Sequence, residues 1–456
     1  MLRESFQKIA LALLLGWCAM SSRAAAPLET AARAKLRTIV TTDGETDDRC
    51  SMIRFLLYAN EWDIRGLIHS SSKHHWKGDE THPAKKWTEV TWLDRQLAQY
   101  AAVYPNLKLH DAGYPAPDYL KQQVFVGNIA YEGDMEKPTP GSQRIAEVLL
   151  DSDPSPVWLQ VWGGANTIAR ALKSIEEQHP MRMAEVTRKA RLFIIASQDT
   201  TTEDYILKKW PGIYIVRSSG AYLALGYRWE QIMTPAEQKY FDKDWMRENI
   251  LNDRGSLCAA YEVRKDGGFR SEGDSPAFLH LIDVGLRSLE QPNYGGWGGR
   301  FEWAGNQWRS APDDGSMSRT IMRWSPAFQN DWATRADWCV KSYQQANHPP
   351  RVKLAHAANL TARHGEVIKL SAQGSLDPDK NQLTYKWWHY PEPGTYRGKI
   401  VIQKPDEPEA TLSVPNDARI SETVHLVCEV TDSGVPPLTR YQRVVIQFVD
   451  GQINRP

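Results

Sequence analysis

Short apolar runs alternate with amphipathic stretches over the first two thirds of the chain. The runs at 37–41, 64–70, 157–162, 191–196 and 213–216 are rich in β-branched and aliphatic residues and predict strands. Between and after them, 50–58, 87–103, 142–151, 166–178 and 276–288 carry apolar residues at helical spacing. Ser142 is a reasonable N-cap for its helix. Such alternation predicts an α/β domain with a mostly parallel sheet and helices on both faces. Residues 104–141 hold several Pro and Gly and are expected to be loop-rich. From 290 to 345 the character changes: a Gly-aromatic run at 292–301 is followed by Trp303, Trp308, Trp324, Trp332 and Trp338. This segment is expected to pack on the α/β domain rather than fold alone. After His348-Pro349-Pro350 the runs at 367–371, 383–388, 411–414, 424–430 and 443–448 are short, strand-like and separated by turns. They predict a C-terminal all-β, immunoglobulin-like sandwich. The expected division is 27–347 for the α/β domain and 348–456 for the β domain.

The first residues add a destination. Arg3 and Lys8 precede an apolar stretch at 9–19, and Ser22-Arg23-Ala24 offers small residues for cleavage. Residues 1–24 are therefore expected to be a signal peptide, which places the mature protein in the periplasm or outside the cell. No later run is long and apolar enough to span a membrane. Export permits disulfides. Of Cys50, Cys258, Cys339 and Cys428, only a Cys258–Cys339 bridge is entertained, and no spacing supports it; Cys50 reads as a small buried thiol. The 55 basic and 55 acidic residues cancel, so bulk charge gives no reason for a nucleic-acid or anionic-membrane partner. Tryptophan is in excess, 18 in all, which raises carbohydrate as a partner, although any single Trp is more often packing. An oligomer remains open.

Candidate chemistry concentrates at Thr41-Thr42-Asp43-Gly44-Glu45-Thr46-Asp47-Asp48, directly between the first strand and the first helix. Strand-to-helix turns of this kind carry the sites of open α/β sheets. A single acid there would be satisfied by the helix dipole. Four carboxylates in six residues repel one another unless a cation holds them. Closely spaced oxygen ligands suit Ca²⁺ or Mg²⁺.

This turn resembles the Asp-x-Asp-x-x-x-Asp-Asp signature of inosine-uridine nucleoside hydrolases, with Thr41 in place of the first Asp and with Asp43, Asp47 and Asp48 matching the others. The resemblance implies that Asp43 and Asp48 are Ca²⁺ ligands. It further implies that Asp43 activates a metal-held water and that Asp47 binds a sugar hydroxyl. Two later stretches are similar to the same family in the right order, each before a helix. Trp162-Gly163-Gly164-Ala165-Asn166 resembles the segment whose main-chain carbonyl reaches the metal, with Asn166 at that position. Glu272-Gly273-Asp274-Ser275-Pro276 resembles the C-terminal element that supplies another Ca²⁺ ligand, here Asp274. The departures lie on the leaving-group side. Gly273 stands where nucleosidases have a His, Lys73 or Ser72 stands where they have an Asn, and no match exists around 197–201.

The whole layout resembles a bacterial family of exported proteins described as cellulose-binding, with a nucleoside hydrolase-like domain and a C-terminal β domain. The turn at 43–48, the Trp162-Gly163-Gly164 strand end, Gly273-Asp274-Ser275-Pro276 and the 294–300 loop carry that resemblance. It implies a nucleoside hydrolase-like fold and leaves the substrate open. His69, His74 and His75 include a possible general acid, since His titrates near neutral pH, but they equally suit a polar loop. A transition-metal site would want more His or Cys at fixed spacing. Lys73, His74 and Asp199 are placed on the substrate side, with Glu203 as a further acid. Tyr294, Trp297 and Trp303 are candidates for a sugar platform, and Arg300 for a hydroxyl or carboxylate. Asp377 and Asp379 suit either Ca²⁺ or an Asx turn. Of Trp387 and Trp388, one should be core. The expectation is a Ca²⁺-dependent hydrolase of a glycosidic or N-glycosidic bond in a carbohydrate-related substrate. The alternatives are a non-catalytic polysaccharide-binding protein and a true nucleosidase.

Overall fold

A computed structural model describes residues 35–450; the expected signal peptide at 1–24 lies outside the described residues. Eight strands form the main sheet: β1 (Leu36–Thr42), β2 (Trp62–His69), β3 (Val124–Val126), β4 (Val157–Val161), β5 (Ala190–Ile195), β6 (Tyr214–Ser218), β7 (Phe301–Trp303) and β8 (Trp308–Ser310). Their order is β3-β2-β1-β4-β5-β6-β8-β7, and every neighbouring pair is parallel except β7 and β8. The chain turns from one side of the sheet to the other at β1, which lies between β2 and β4. That is the switch point at whose carboxyl end open α/β sheets bind ligands.

Helices cover both faces, so the central strands are apolar on both sides. Alternate side chains of one strand enter opposite cores: Val40 and Trp158 join one, Ile39 and Leu159 the other. The flanking helices include α1 (Thr46–Leu57), α2 (Thr91–His110), α3 (Pro117–Lys121), α4 (Pro140–Leu150) and α5 (Asn166–Gln178). Among the described residues no helix is long and apolar enough to cross a membrane.

Besides the N-cap of α4, which is Thr139 and not Ser142, three sequence expectations need correction. First, α1 begins at Thr46 rather than 50, so Asp47 and Asp48 stand in its first turn, where the helix dipole favours them. Second, the loop-rich stretch 104–141 contains the end of α2, the short α3 and β3. Third, the helix expected over 276–288 stops at Leu279. The chain beyond it is drawn into extended pairing with the C-terminal sheet: Tyr441 N–H donates to the Val284 carbonyl at 2.9 Å and Arg443 N–H to the Gly285 carbonyl at 3.1 Å. Gly285 has φ +90°, and a Cβ there would overlap the Tyr441 carbonyl.

The C-terminal part is all β. One sheet is β10 (Val367–Ser371), β13 (Glu409–Ser413) and β12 (Ile402–Gln403); the other is β11 (Leu383–His389), β14 (Thr423–Asp432), β15 (Thr439–Phe448) and β9 (Asn359–Ala362). Both contribute to one apolar core, with Leu370 and Leu412 from the first and Trp387, Leu426 and Val444 from the second. Trp388 faces the other way and lies 5.9 Å from Trp324, so it serves the junction with the preceding segment. Asp377 accepts from the backbone N–H groups of Asp379 and Asn381, an Asx turn, and Asp379 pairs with His348. All four described cysteines are buried free thiols, so no Cys258–Cys339 bridge is present.

Candidate functional site

The turn after β1 is shaped by three constraints. Gly44 has φ +75°, and a Cβ there would sit 2.8 Å from Trp92 Nε1. Arg49 donates from Nη1 to the Gly44 carbonyl at 2.6 Å while its Nε pairs with Glu262 at 2.5 Å. Asp48 Oδ1 accepts from Thr42 Oγ1 at 2.5 Å and from the Asp43 N–H at 3.2 Å. The turn is thereby folded back on α1, and its carboxylates converge.

Asp274 arrives from the far end of the chain. It occupies the N-cap position of the short helix Ser275–Leu279 and makes no capping bond. Its neighbour Glu272 anchors the loop. Glu272 is fully buried, pairs with the fully buried Arg54 of α1 at 2.9 Å, and accepts from Ser275 Oγ at 2.7 Å and Tyr261 Oη at 3.1 Å. Arg54 itself lies over Trp332 at 4.0 Å. This buried pair fixes where Asp274 points.

Two donor groups result. Asp47, Asp48 and Asp274 each offer a carboxylate oxygen within 4.8 Å of the others; so do Asp43 and Glu45 together with a ring nitrogen of His75. Asp43 is 2 % and Asp274 1 % exposed, yet Oδ2 of each has no hydrogen-bond partner. The cost shows in their protonation. Burial, then Glu45 and Asp43, pushes the Asp47 carboxyl up to about 7. Burial first and the neighbouring carboxylates second raise Asp48 and Asp274 well above the usual carboxylate range. Buried like charges at this spacing are stable only with protons or a cation between them. The all-carboxylate group has the donor chemistry of a hard divalent cation.

Above this floor stands Tyr227, whose hydroxyl is 3.3 Å from both Glu45 Oε1 and Asp47 Oδ1. Gly273 lies beneath: a Cβ there would meet Asp47 Oδ2 at 2.8 Å. Any larger residue at 273, His included, would have to displace Asp47.

The other expected site residues are scattered. Asn166 opens α5, and its Nδ2 donates to the carbonyls of Asn128 and Asp134, both at 2.8 Å, and to Ser71 Oγ. Asp199 is spoken for: Oδ2 accepts from the Asn166 N–H at 3.0 Å, and Oδ1 accepts from Thr201 N–H and Oγ1. It holds the start of α5, and burial raises its carboxyl above the usual range. Glu203 pairs with Arg217 at 2.5 Å. Gly163 and Gly164 let the β4 end approach both groups, with Cβ positions 3.0 Å from Asp43 Cβ and 2.4 Å from Asp199 Oδ2. Lys73 Nζ donates to the Ser197 carbonyl at 3.1 Å, and His74 is exposed. His75, not His74, turns inward: it is 7 % exposed, with Nδ1 3.8 Å from Asp43 Oδ2 and 3.7 Å from Glu45 Oε2.

The aromatic loop is elsewhere in its energetics. Trp297 is 1 % exposed and packs on Phe328 and Arg440, so its ring has no face to offer a sugar. Arg300 is buried against Asp313 at 2.7 Å and Glu302 at 2.8 Å. The Tyr294 ring meets His425, and its carbonyl accepts from Arg443. Tyr294 and Trp297 pack against residues of the C-terminal sheets, whereas Arg300 is held within its own segment by Glu302, Pro312 and Asp313. Trp303 is 56 % exposed and lies 5.5 Å from Trp308 on the edge hairpin.

Two family models match the chain. Residues 37–301 match "Cellulose-binding Sde182, nucleoside hydrolase-like domain" and 367–448 match "Cellulose-binding protein Sde0182, C-terminal domain". Among solved structures, a nucleoside hydrolase-related hypothetical protein from Saccharophagus degradans, associated with carbohydrate metabolism, is 30% identical, with a TM-score of 0.76 over 91% of this chain and 100% of that one. The type III effector protein XopQ, complexed with adenosine diphosphate ribose, is 12% identical, with a TM-score of 0.32 over 68% of this chain and 95% of that one. A PKD domain from KIAA 1837 protein is 13% identical, with a TM-score of 0.17 over 22% and 88%. No curated protein matches the chain.

Proposed function

This chain belongs to the family described as cellulose-binding Sde182 with a nucleoside hydrolase-like domain, and on that premise we propose that it is an exported, Ca²⁺-dependent hydrolase of a glycosidic or N-glycosidic bond in a carbohydrate-related substrate. One observation carries the reading: buried carboxylates converge at the switch point of the sheet with Asp43 Oδ2 and Asp274 Oδ2 left without a partner.

Asp48 and Asp274 would hold the ion, with Asp43 beside them. A bound Ca²⁺ supplies positive charge that orients hydroxyls and favours deprotonation of water. Asp43 Oδ2 is free to accept the proton of the attacking water, because Oδ1 is already engaged by the Glu45 N–H at 3.1 Å. Asp47, half-buried in the first turn of α1, would bind a sugar hydroxyl. Gly273 stands where nucleosidases have a His, which argues against a free nucleoside as the substrate. Residues 1–24 are read as the export signal, and 348–456 as an immunoglobulin-like module.

A second reading, non-catalytic polysaccharide binding, is favoured by the family description and by the exposed Trp303 beside Trp308. The two separate in one experiment. Protein incubated with a panel of oligosaccharides and glycosides releases product in Ca²⁺ and none in excess chelator if it is the hydrolase. Retention on insoluble cellulose with no product under any condition would establish the binding protein instead. Free base released from inosine or uridine would restore the nucleosidase.

A further inference from the structure

Asp43, Glu45 and His75 form a donor set of a different chemical class from Asp47, Asp48 and Asp274. We propose that the cleft holds two cations: beside the hard cation, a second site made of Asp43 Oδ2, Glu45 Oε2 and His75 Nδ1 takes a borderline divalent ion, Zn²⁺. The proposal rests on the reading of the all-carboxylate group as a hard-cation site; Asp43 Oδ2 is the free base of that reading only while the second site is empty, and becomes a ligand when the second ion binds.

Distance is the first argument. His75 Nδ1 lies 3.8 Å from Asp43 Oδ2 and 3.7 Å from Glu45 Oε2. Both gaps are too long for a hydrogen bond. Two ligands each about 2.0–2.2 Å from a shared Zn²⁺ stand at most ~4.2 Å apart, and both gaps fall inside that reach. The second argument is the state of the atoms. Asp43 Oδ2 and His75 Nδ1 are buried and unpartnered, on side chains more than nine-tenths buried and aimed at each other. Buried imidazoles elsewhere in the fold, such as His280, also lack partners; His75 differs in that two carboxylate oxygens converge on its free nitrogen.

The third argument is how the set is held. In both carboxylates one oxygen is already engaged and the other left over. Asp43 Oδ1 accepts from the Glu45 N–H at 3.1 Å, and Glu45 Oε1 is 3.3 Å from the Tyr227 hydroxyl. The His75 backbone is clamped by Ser72, whose Oγ accepts from the His75 N–H and whose own N–H donates to the His75 carbonyl at 2.9 Å. Partners that fix the orientation of ligands in this way are the usual outer support of metal sites. An imidazole nitrogen with carboxylate oxygens suits Zn²⁺, whereas oxygen alone suits Ca²⁺.

The test uses full-length, metal-stripped protein. Zn²⁺ is titrated calorimetrically at saturating Ca²⁺, Ca²⁺ at saturating Zn²⁺, and the ions retained after dialysis are counted by elemental analysis. The expected result is one Ca²⁺ and one Zn²⁺ per chain. His75→Ala should weaken Zn²⁺ by roughly 100-fold or more, the scale of losing a metal-site residue, and leave Ca²⁺ affinity within about threefold. Asp274→Asn should do the reverse. His75→Gln, with a thermal melt as folding control, guards against a merely unfolded variant. Competition of the two ions for a single site would overturn the proposal, as would unchanged Zn²⁺ affinity in both His75 variants. His75-dependent Zn²⁺ binding with no Ca²⁺ at all would keep the second site and sink the calcium reading.

Discussion

Asp43 and Asp313 are both buried aspartates in a charged neighbourhood, and they have opposite fates. Asp313 is fully buried and saturated: Arg300 Nε donates to it at 2.7 Å, Tyr390 Oη at 2.5 Å, and Arg323 pairs with it at 3.2 Å. Asp331 is similar, lying between Arg335 at 3.2 Å and Arg440 at 2.7 Å. Both knots tie the α/β part to the C-terminal sheets. Asp43, beside Asp47, Asp48 and Asp274, has no Arg or Lys paired with it, only His75 at 3.8 Å, and keeps Oδ2 without a hydrogen bond. Charge that the protein itself neutralises is architecture. Charge that it buries and leaves unneutralised is a site, since nothing in folding alone would favour it.

The largest expected effect separates the two at once. Asp43→Ala should lower turnover on any substrate found by on the order of 10²–10⁴-fold, the usual span for loss of a general base, while the metal-free melting temperature holds or rises. A variant that keeps turnover yet melts early would place Asp43 with the architecture. Asp313→Ala should behave oppositely. Leaving Arg300 and Arg323 uncompensated should cost about 3–5 kcal/mol of stability in denaturant unfolding, with Ca²⁺ affinity unchanged. Chelation should act only on the acidic side: at free Ca²⁺ near 100 times Kd, its removal should cost ~2.7 kcal/mol in wild type and close to nothing in Asp274→Asn.

The pH profile is the subtlest contrast. Asp47 is raised from 3.8 to about 7, so between those values the folded chain binds more protons than the unfolded one. Stability of the metal-free protein should therefore be free of this penalty below about pH 4, fall as pH rises, and bear it fully above about 7. Saturating Ca²⁺ should flatten the slope. A metal-free profile that rises over the same window would mean that the carboxylates are neutralised in some other way.

The acidic floor was legible because its residues are close in sequence or next to a recognisable turn: Asp43, Asp47 and Asp48 share one turn, and Asp274 stands just before a helix. The parallel sheet followed from apolar periodicity for the same local reason. What sequence hid depends on long-range contact. His75 reaches Asp43 from a loop with no periodicity; His69 is buried at the end of β2, and of the adjacent His74 and His75 only the second is turned inward. Tyr227 comes from another such stretch. A Gly-aromatic run suggests an exposed platform, yet Arg440 lies over Trp297, and Arg300 is engaged by Asp313, whose other oxygen accepts from Tyr390. The helix from 276 ends early for a related reason, since the pairing of Val284 and Gly285 with β15 outweighs local helical preference.

A high-resolution crystal structure of the protein grown in Ca²⁺ tests the central claim most directly. An ion coordinated at about 2.3–2.6 Å by carboxylate oxygens of Asp48 and Asp274 is the predicted result. Carboxyl groups joined to one another by short hydrogen bonds, with no ion between them at saturating Ca²⁺, would contradict it.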